Sequence, residues 1–325
     1  MKTFPRFLLF IIIPLILGGN AACIHTYPKG EAEDPTLISL SLALSTEDYS
    51  AAQPLPAATY RFITVISNNS RVIISQESYI TFLPSSSNPY IIKIERQLPP
   101  QRYDILIWGE IVDPLTHSPF HYDASDLSHI RILTYWEDKY TTAAQLAPPL
   151  SLRGETSLDP RSLSPNGNRD LILPVSMTNP VGMLSLQTTD AETFISRFPS
   201  VKTTPGAFSI SLTCSSPKAE SFNLYSGEPG NYTEGIEINA PILIPDPSAS
   251  ILLNLPIFAN SSGEDFTADI TIYNSARSII SRTRDINFHI KPGETCLLKG
   301  AFLSNYFENP IRVENEWEGE IIIDQ

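Results

Sequence analysis

The chain is 325 residues long and acidic, with 22 lysines and arginines against 35 aspartates and glutamates, for a formal net charge of −13 at pH 7. That balance argues against nucleic acid as a partner, because binding a phosphate backbone needs a basic surface. The length leaves room for two domains of ordinary size, each with a sizeable core.

The first residues, MKTFPRF, carry Lys2 and Arg6, and the apolar run FLLFIIIPLIL follows from Phe7 to Leu17. The run is too short to span a bilayer and is broken by Pro14. Small residues Gly18, Gly19, Ala21 and Ala22 then lead to Cys23, the order of a secretory leader and not of a membrane helix. Bacterial lipoproteins are cut just before a cysteine whose thiol carries a diacylglycerol, and the peptidase needs small side chains upstream. Ala21 and Ala22 meet that need, although Asn20 stands where leucine is usual. We expect residues 1–22 to be a lipoprotein signal peptide and Cys23 to be the lipidation site. Acylation of the new amine, by palmitate for example, would add the further chain that turns marginal membrane affinity into a stable anchor. Ordinary cleavage leaving a free Cys23 is the alternative. Residues 23–35 read as a mostly polar tether.

Short runs with strand periodicity follow. In TLISLSLAL (Thr36 to Leu44), Leu40, Leu42 and Leu44 share one face while Ser39, Ser41 and Ala43 share the other. Next come YRFITVI (Tyr60 to Ile66), RVIIS (Arg71 to Ser75), YIIKIE (Tyr90 to Glu95) and YDILIWGEI (Tyr103 to Ile111). Both faces of YDILIWGEI are largely apolar, so it is expected to be a central strand with Tyr103 and Trp108 in the core. ASDLSHIRI (Ala124 to Ile132) is a candidate short helix. Polar and turn-forming residues displace apolar ones in PLSLRGETSLDPRSLSPNGNRD, Pro149 to Asp170, and a domain boundary is placed near Gly167.

Beyond it the strand runs are LILPVSM (Leu171 to Met177), MLSLQT (Met183 to Thr188), AFSISLTC (Ala207 to Cys214), ILLNLPIF (Ile251 to Phe258), ADITIYN (Ala268 to Asn274) and EIIIDQ (Glu320 to Gln325). AETFISRF (Ala191 to Phe198) reads as a helix, with Asp190 as N-cap and Phe194 and Phe198 on one face. With 28 prolines and this spacing of strands, the chain is expected to be all-β sandwich with few short helices. The domains are then 36–167 and 168–325.

A search for chemistry yields no enzyme. His117 and His121 flank Pro119 in HSPFH, which argues against one helical face presenting both, and no third metal ligand is evident. Motifs such as GxSxG, HExxH, the P-loop and GxGxxG are absent from the sequence. Neither metal nor cofactor is expected. Glu237 and Asp246 beside apolar runs are accounted for as solvated faces. After loss of the leader, Cys214 and Cys296 could pair in an exported chain. Cys214 also lies on one face with Phe208, Ile210 and Leu212, where it would serve as a small buried hydrophobe.

YDILIWGEI, followed by FHYDASDLSHIRI and RDLILPVSMTNPVGMLSLQTTDAETFI, resembles the fimbrillin superfamily of Bacteroidales, the lipoprotein subunits and anchors of type V pili. INFHIKPGETCLLKGAFLSN and EWEGEIIIDQ are similar to that family's closing strands. The resemblance spans nearly the whole mature chain and implies two transthyretin-like β-sandwich domains, export as a lipoprotein to the outer membrane, and assembly with pilin subunits by strand exchange. A partner's extended segment would complete a sandwich lacking a strand, by β-augmentation.

In stalk subunits of that family an arginine-specific protease cuts in the loop after the first strand and removes the strand. Here STEDYSAAQPLPAAT (Ser45 to Thr59) contains no arginine or lysine, Lys29 precedes the strand, and the first arginine, Arg61, lies inside the next strand run. The chain ends at Gln325, directly after its last strand run, which leaves little extra tail to donate. A membrane-anchored base or accessory subunit, whose first strand stays in place, is therefore expected. A tip adhesin or glycan-binding surface lipoprotein outside any pilus is the alternative.

Overall fold

The computed structural model describes residues 37–46, 59–133, 150–159, 170–247, 251–304 and 320–322. Contacts divide the chain into Met1–Leu37 and Ile38–Gln325, and everything below concerns the second unit. It is an all-β sandwich structure with one α-helix among the described residues.

A seven-stranded sheet is built from β1 (Ser39–Thr46), β2 (Thr59–Asn68), β3 (Arg71–Ile80), β4 (Tyr90–Lys93), β5 (Tyr103–Val112), β8 (Ser151–Leu158) and β9 (Asp170–Thr178). Its order is β3-β2-β5-β8-β9-β1-β4. One core is filled from nearly every strand of this sheet, by Leu40, Phe62, Ile92, Tyr103, Leu152 and Val175 among others, so the sheet curls over its own inner face. The Gln76 side chain on β3 spans the two outer edges. Its amide donates to the Lys93 carbonyl at 3.0 Å and its oxygen accepts from the Glu95 backbone N–H at 3.3 Å, supplying the donor and acceptor that a ladder partner would.

Two four-stranded sheets enclose the second core. One has the order β15-β10-β18-β19, from β10 (Val181–Thr188), β15 (Ile251–Phe258), β18 (Thr295–Gly300) and β19 (Glu320–Ile322); the other is β14-β11-β16-β17, from β11 (Phe208–Cys214), β14 (Ile236–Ile242), β16 (Glu264–Asn274) and β17 (Ile279–Ile290). Helix α1 (Ala191–Arg197) closes this core, with Phe194, Phe198 and Phe208 rings 4.9 to 5.2 Å apart. Asp190 stands at the N-cap position as its sequence context suggests, but makes no side-chain cap bond. Its carboxylate instead accepts from Thr188 Oγ1, the backbone N–H groups of Leu303 and Ser304, and Ser304 Oγ. The carboxylate thus ties the helix start to the segment after β18.

The last sheet, β13-β12-β7-β6, comprises β6 (Tyr122–Asp123), β7 (Ile130–Ile132), β12 (Lys218–Asn223) and β13 (Glu228–Thr233). It covers the outer face of β2 and β5 over a third core, in which Ile63, Val65, Leu106 and Trp108 meet Tyr122, Phe222 and Phe258. This is why β5 is apolar on both faces: one face belongs to the first core and the other to the third.

Two elements differ from the sequence reading. Ala124 to Ile132 is not a helix: it bends through turns into β7. The Asp126 carboxylate accepts from the Ser128 backbone N–H at 2.9 Å and Ser128 Oγ at 2.6 Å, and contacts His129 Nδ1 at 3.2 Å. Such local bonds satisfy the backbone in a turn and compete with helix formation. Secondly, Ser151–Leu158, inside the stretch read as turn-rich, forms β8 with an eight-residue antiparallel register on β5. Tertiary pairing there overrides weak local propensity. The expected boundary at Gly167 lies outside the described residues. Strands from either side of it share two sheets, through β1 with β9 and β7 with β12.

Candidate assembly site at the first strand

The alternation of SLSLALST sends Leu40, Leu42 and Leu44 into the first core, where with Ile38 they are 0 to 2% exposed. β1 is paired along both edges. Ser39 to Thr46 run parallel to Asp170 to Met177 of β9, and Ser41 to Leu44 run antiparallel to Tyr90 to Lys93 of β4. The ends are tied as well. Ile38 N–H donates to the Leu98 carbonyl at 2.7 Å and accepts in return through its own carbonyl at 2.9 Å, while Thr46 Oγ1 donates to the Pro84 carbonyl at 2.6 Å. Burying four large apolar side chains stabilises a fold by roughly 6 to 12 kcal/mol at about 1.5 to 3 kcal/mol each. The groove that a first strand would leave is therefore filled by the chain itself, and among the described residues β4 has no strand neighbour but β1.

Arg61 comes next along the described chain with a basic side chain, and its place in β2 seals it. β2 is hydrogen-bonded to β3 on one side and β5 on the other, with Arg61 opposite Glu110. Arg61 Nε donates to Glu110 Oε1 at 3.0 Å, Nη2 donates to the same oxygen, and Nη1 lies 3.6 Å from Glu77 Oε1. The side chains of Arg61 and Glu110 are 13% and 0% exposed. Burial pushes the Glu110 carboxyl up to about 7, against the pull of the Arg61 charge. Burial lowers the Arg61 guanidinium less than Glu110 and Glu77 raise it, so Arg61 stays charged throughout and Glu110 is the group that titrates. A protease needs a segment that can open locally into its active site, and a doubly paired strand with a buried ion pair does not supply one.

Cys23, Lys29 and residues 47–58 lie outside the described residues. Cys214 and Cys296 are both free and buried, on β11 and β18 of different sheets. Burial raises the Cys214 thiol, with the Lys218 charge acting the other way, and pushes Cys296 up to about 11. Since the thiolate is the reactive form, neither is expected to react with maleimide in the folded protein, and both are expected to react in guanidinium. Mass spectrometry reads the difference, and prompt labelling of the native protein at either position would contradict it.

The two histidines diverge. His117 stacks on Tyr79 with ring centroids 4.1 Å apart, whereas His121 is 1% exposed. Trp108 and Tyr103 are fully buried, as expected of core aromatics. Trp136 and Trp317 lie outside the described residues. Glu237 accepts a bond from Ser211 Oγ at 2.9 Å. Sequence reasoning missed the Arg61 and Glu110 pair, and the available signal was a glutamate embedded in the otherwise apolar end of YDILIWGEI.

No curated protein matches the chain. Among solved structures it is similar to the fimbrial anchor protein Mfa2 from Porphyromonas gingivalis, at 11% identity over 76% of this chain and 82% of that one, with a TM-score of 0.41. It is also similar to a fimbrial assembly protein from Parabacteroides distasonis ATCC 8503, at 14% identity over 89% and 99% of the two chains, with a TM-score of 0.43. A family model matches residues 33–325 of the 325, and the chain belongs to that family, the family of unknown function DUF6562.

Proposed function

We propose that the protein is a lipid-anchored base or accessory subunit of a type V pilus at the outer-membrane surface. It engages pilin subunits by β-strand complementation and performs no enzymatic step. The observation that carries this reading is the place of β1, paired on both edges and filling its own groove with Ile38, Leu40, Leu42 and Leu44. A subunit whose groove is already filled can end a polymer but cannot be an interior link. Two further points support it. Residues 47–58 contain no arginine or lysine, and Arg61 is held inside β2 by Glu110. Cys23 is the proposed attachment point, and residues 23–35 the tether that holds a two-domain body, divided near Gly167, off the bilayer.

The deciding measurement is the intact mass and N-terminus of the protein extracted from the outer membrane. A lipidated Cys23 still joined to β1 is the expected result. A mature form beginning after Thr46 would sink the reading. Substitution Cys23→Ser should release the protein from the membrane or stall its processing, and unchanged membrane retention would overturn the lipid assignment. Pilin subunits are expected to co-purify with the wild-type protein as a ladder.

A further inference from the structure

A cleft of about 440 Å³ opens beside the end of β1, between the β9–β10 connection and the turn that joins β17 to β18. Its size is that of a small-molecule site. Donors dominate one side of it. Asn179 Oδ1 accepts from the Val181 backbone N–H at 3.0 Å and from Ser151 Oγ at 3.0 Å. Because a backbone N–H can only donate, this fixes the amide orientation and leaves the Nδ2 donors of Asn179, which lines the cleft, without an acceptor among the described residues. Ser151 is fully buried, so the amide is held in place from behind.

Arg153 is the second donor. Its guanidinium is clamped by Glu155 at 2.6 Å, its Nε–H is buried without an acceptor among the described residues, and its side chain is 18% exposed. Gly227, at φ +73°, lies against it, and a β-carbon there would sit 2.6 Å from Nη2. Only glycine therefore leaves room for the guanidinium at this position. Lys291 adds a second positive charge to the lining of a chain whose net charge is −13. Across the turn, Glu294 contributes a carboxylate to the same lining.

We infer that this cleft binds a sugar acid: the ligand's carboxylate sits on Asn179 Nδ2 and Arg153 with Lys291 nearby, and its hydroxyls donate to Glu294. Charge-assisted bonds to a guanidinium and an amide held in advance favour a carboxylate over a neutral sugar. A peptide fits less well, because the backbone groups of the lining turn are already used. Gly293 N–H donates to the Val181 carbonyl at 2.9 Å, Glu294 N–H to the Lys291 carbonyl at 3.2 Å, and the Glu294 carbonyl accepts from Met183 at 2.9 Å. Those bonds leave the described residues of that turn no ladder for an extended chain. The inference is independent of the assembly reading, since a filled first-strand groove and this cleft are tested by different measurements.

The test is a ligand-observed NMR titration of the full chain with galacturonate, galactose and an acidic tripeptide, at low and high salt. Saturable binding of galacturonate is expected, at least tenfold tighter than galactose and weakened by salt. Asn179→Asp preserves the acceptor for Val181 and Ser151 but turns the free donor into a repelling oxygen, and should lower galacturonate affinity at least tenfold. Lys291→Gln, which removes the charge of a half-buried side chain at the β17–β18 turn, should lower it by a smaller factor and flatten the salt dependence. The assignment is overturned by absence of saturable binding, by equal affinity for galactose, by preference for the tripeptide, or by a Lys291→Gln titration identical to wild type.

Discussion

A chain that begins at residue 47, and so lacks β1, is expected to lose the folded state of its first core while the second core persists. The missing strand takes with it the burial of Ile38, Leu40, Leu42 and Leu44, worth roughly 6 to 12 kcal/mol. Typical domain stabilities are about 5 to 15 kcal/mol, so the loss is of the same order as the whole. β4 is left without a strand partner and β9 with only Arg153 and Gly154 of β8 as partners. Hydrogen exchange should report fast amides in β4 and β9 and protected ones in β11 and β16. A synthetic peptide spanning 37–46, added in trans, should restore protection to β9. If the truncated chain keeps native exchange throughout its first core, β1 is dispensable, and the view of it as a fixed strand fails.

Arg61→Met is expected to have the next largest effect, and its size should depend on pH. The substitution leaves Glu110 buried without its cation, a change that costs about 3 to 5 kcal/mol when the orphaned group must stay charged. In the wild-type fold the Glu110 carboxyl is pushed up from 4.5 to about 7 by burial. The folded state therefore holds that proton more tightly than the unfolded chain does. Its stabilising contribution is complete below pH about 4.5 and is lost as pH rises through about 7, a change of about 3 kcal/mol. Urea denaturation at pH 5 and pH 8 checks both statements. Arg61→Met should cost much less at pH 5, where Glu110 is protonated, than at pH 8. Glu110→Gln should remove the wild-type slope between the two, and should rescue part of the Arg61→Met loss at pH 8. An equal cost of Arg61→Met at both pH values would show that Glu110 does not change its protonation between them.

Several elements were legible in the sequence because their signal is local. The strict period of two in SLSLALST reports which side chains of β1 turn inward, whatever strand lies beside it. The apolar faces of YDILIWGEI marked β5 as buried on both sides. The paired phenylalanines of AETFISRF marked α1. The strand β8 was not legible: Arg153, Gly154 and Glu155 have little strand preference of their own. They are held by β5, and Gly154 leaves space that a β-carbon would deny to Met177 and Val175.

The same division runs through the sites. The absence of a basic residue from residues 47–58 is a property of the sequence alone, and it sets what an arginine-specific protease could find there. What the sequence could not supply is the partner of each group across the ladder. Arg61 and Glu110 are separated by 49 positions, and nothing in either neighbourhood encodes the register that opposes them. Asn179 and Arg153 likewise line one cleft only because β8 and β9 pair at Arg153 and Thr178. Composition and periodicity determined that this chain is acidic and built from strands, with an apolar run from Phe7 to Leu17 shortly before Cys23. Tertiary structure decided that β1 is locked between β9 and β4, that one carboxyl titrates inside an ion pair, and that a donor-lined cleft exists. Local patterning fixes which face of a strand is buried, whereas strand order and register depend on contacts between residues far apart in the chain.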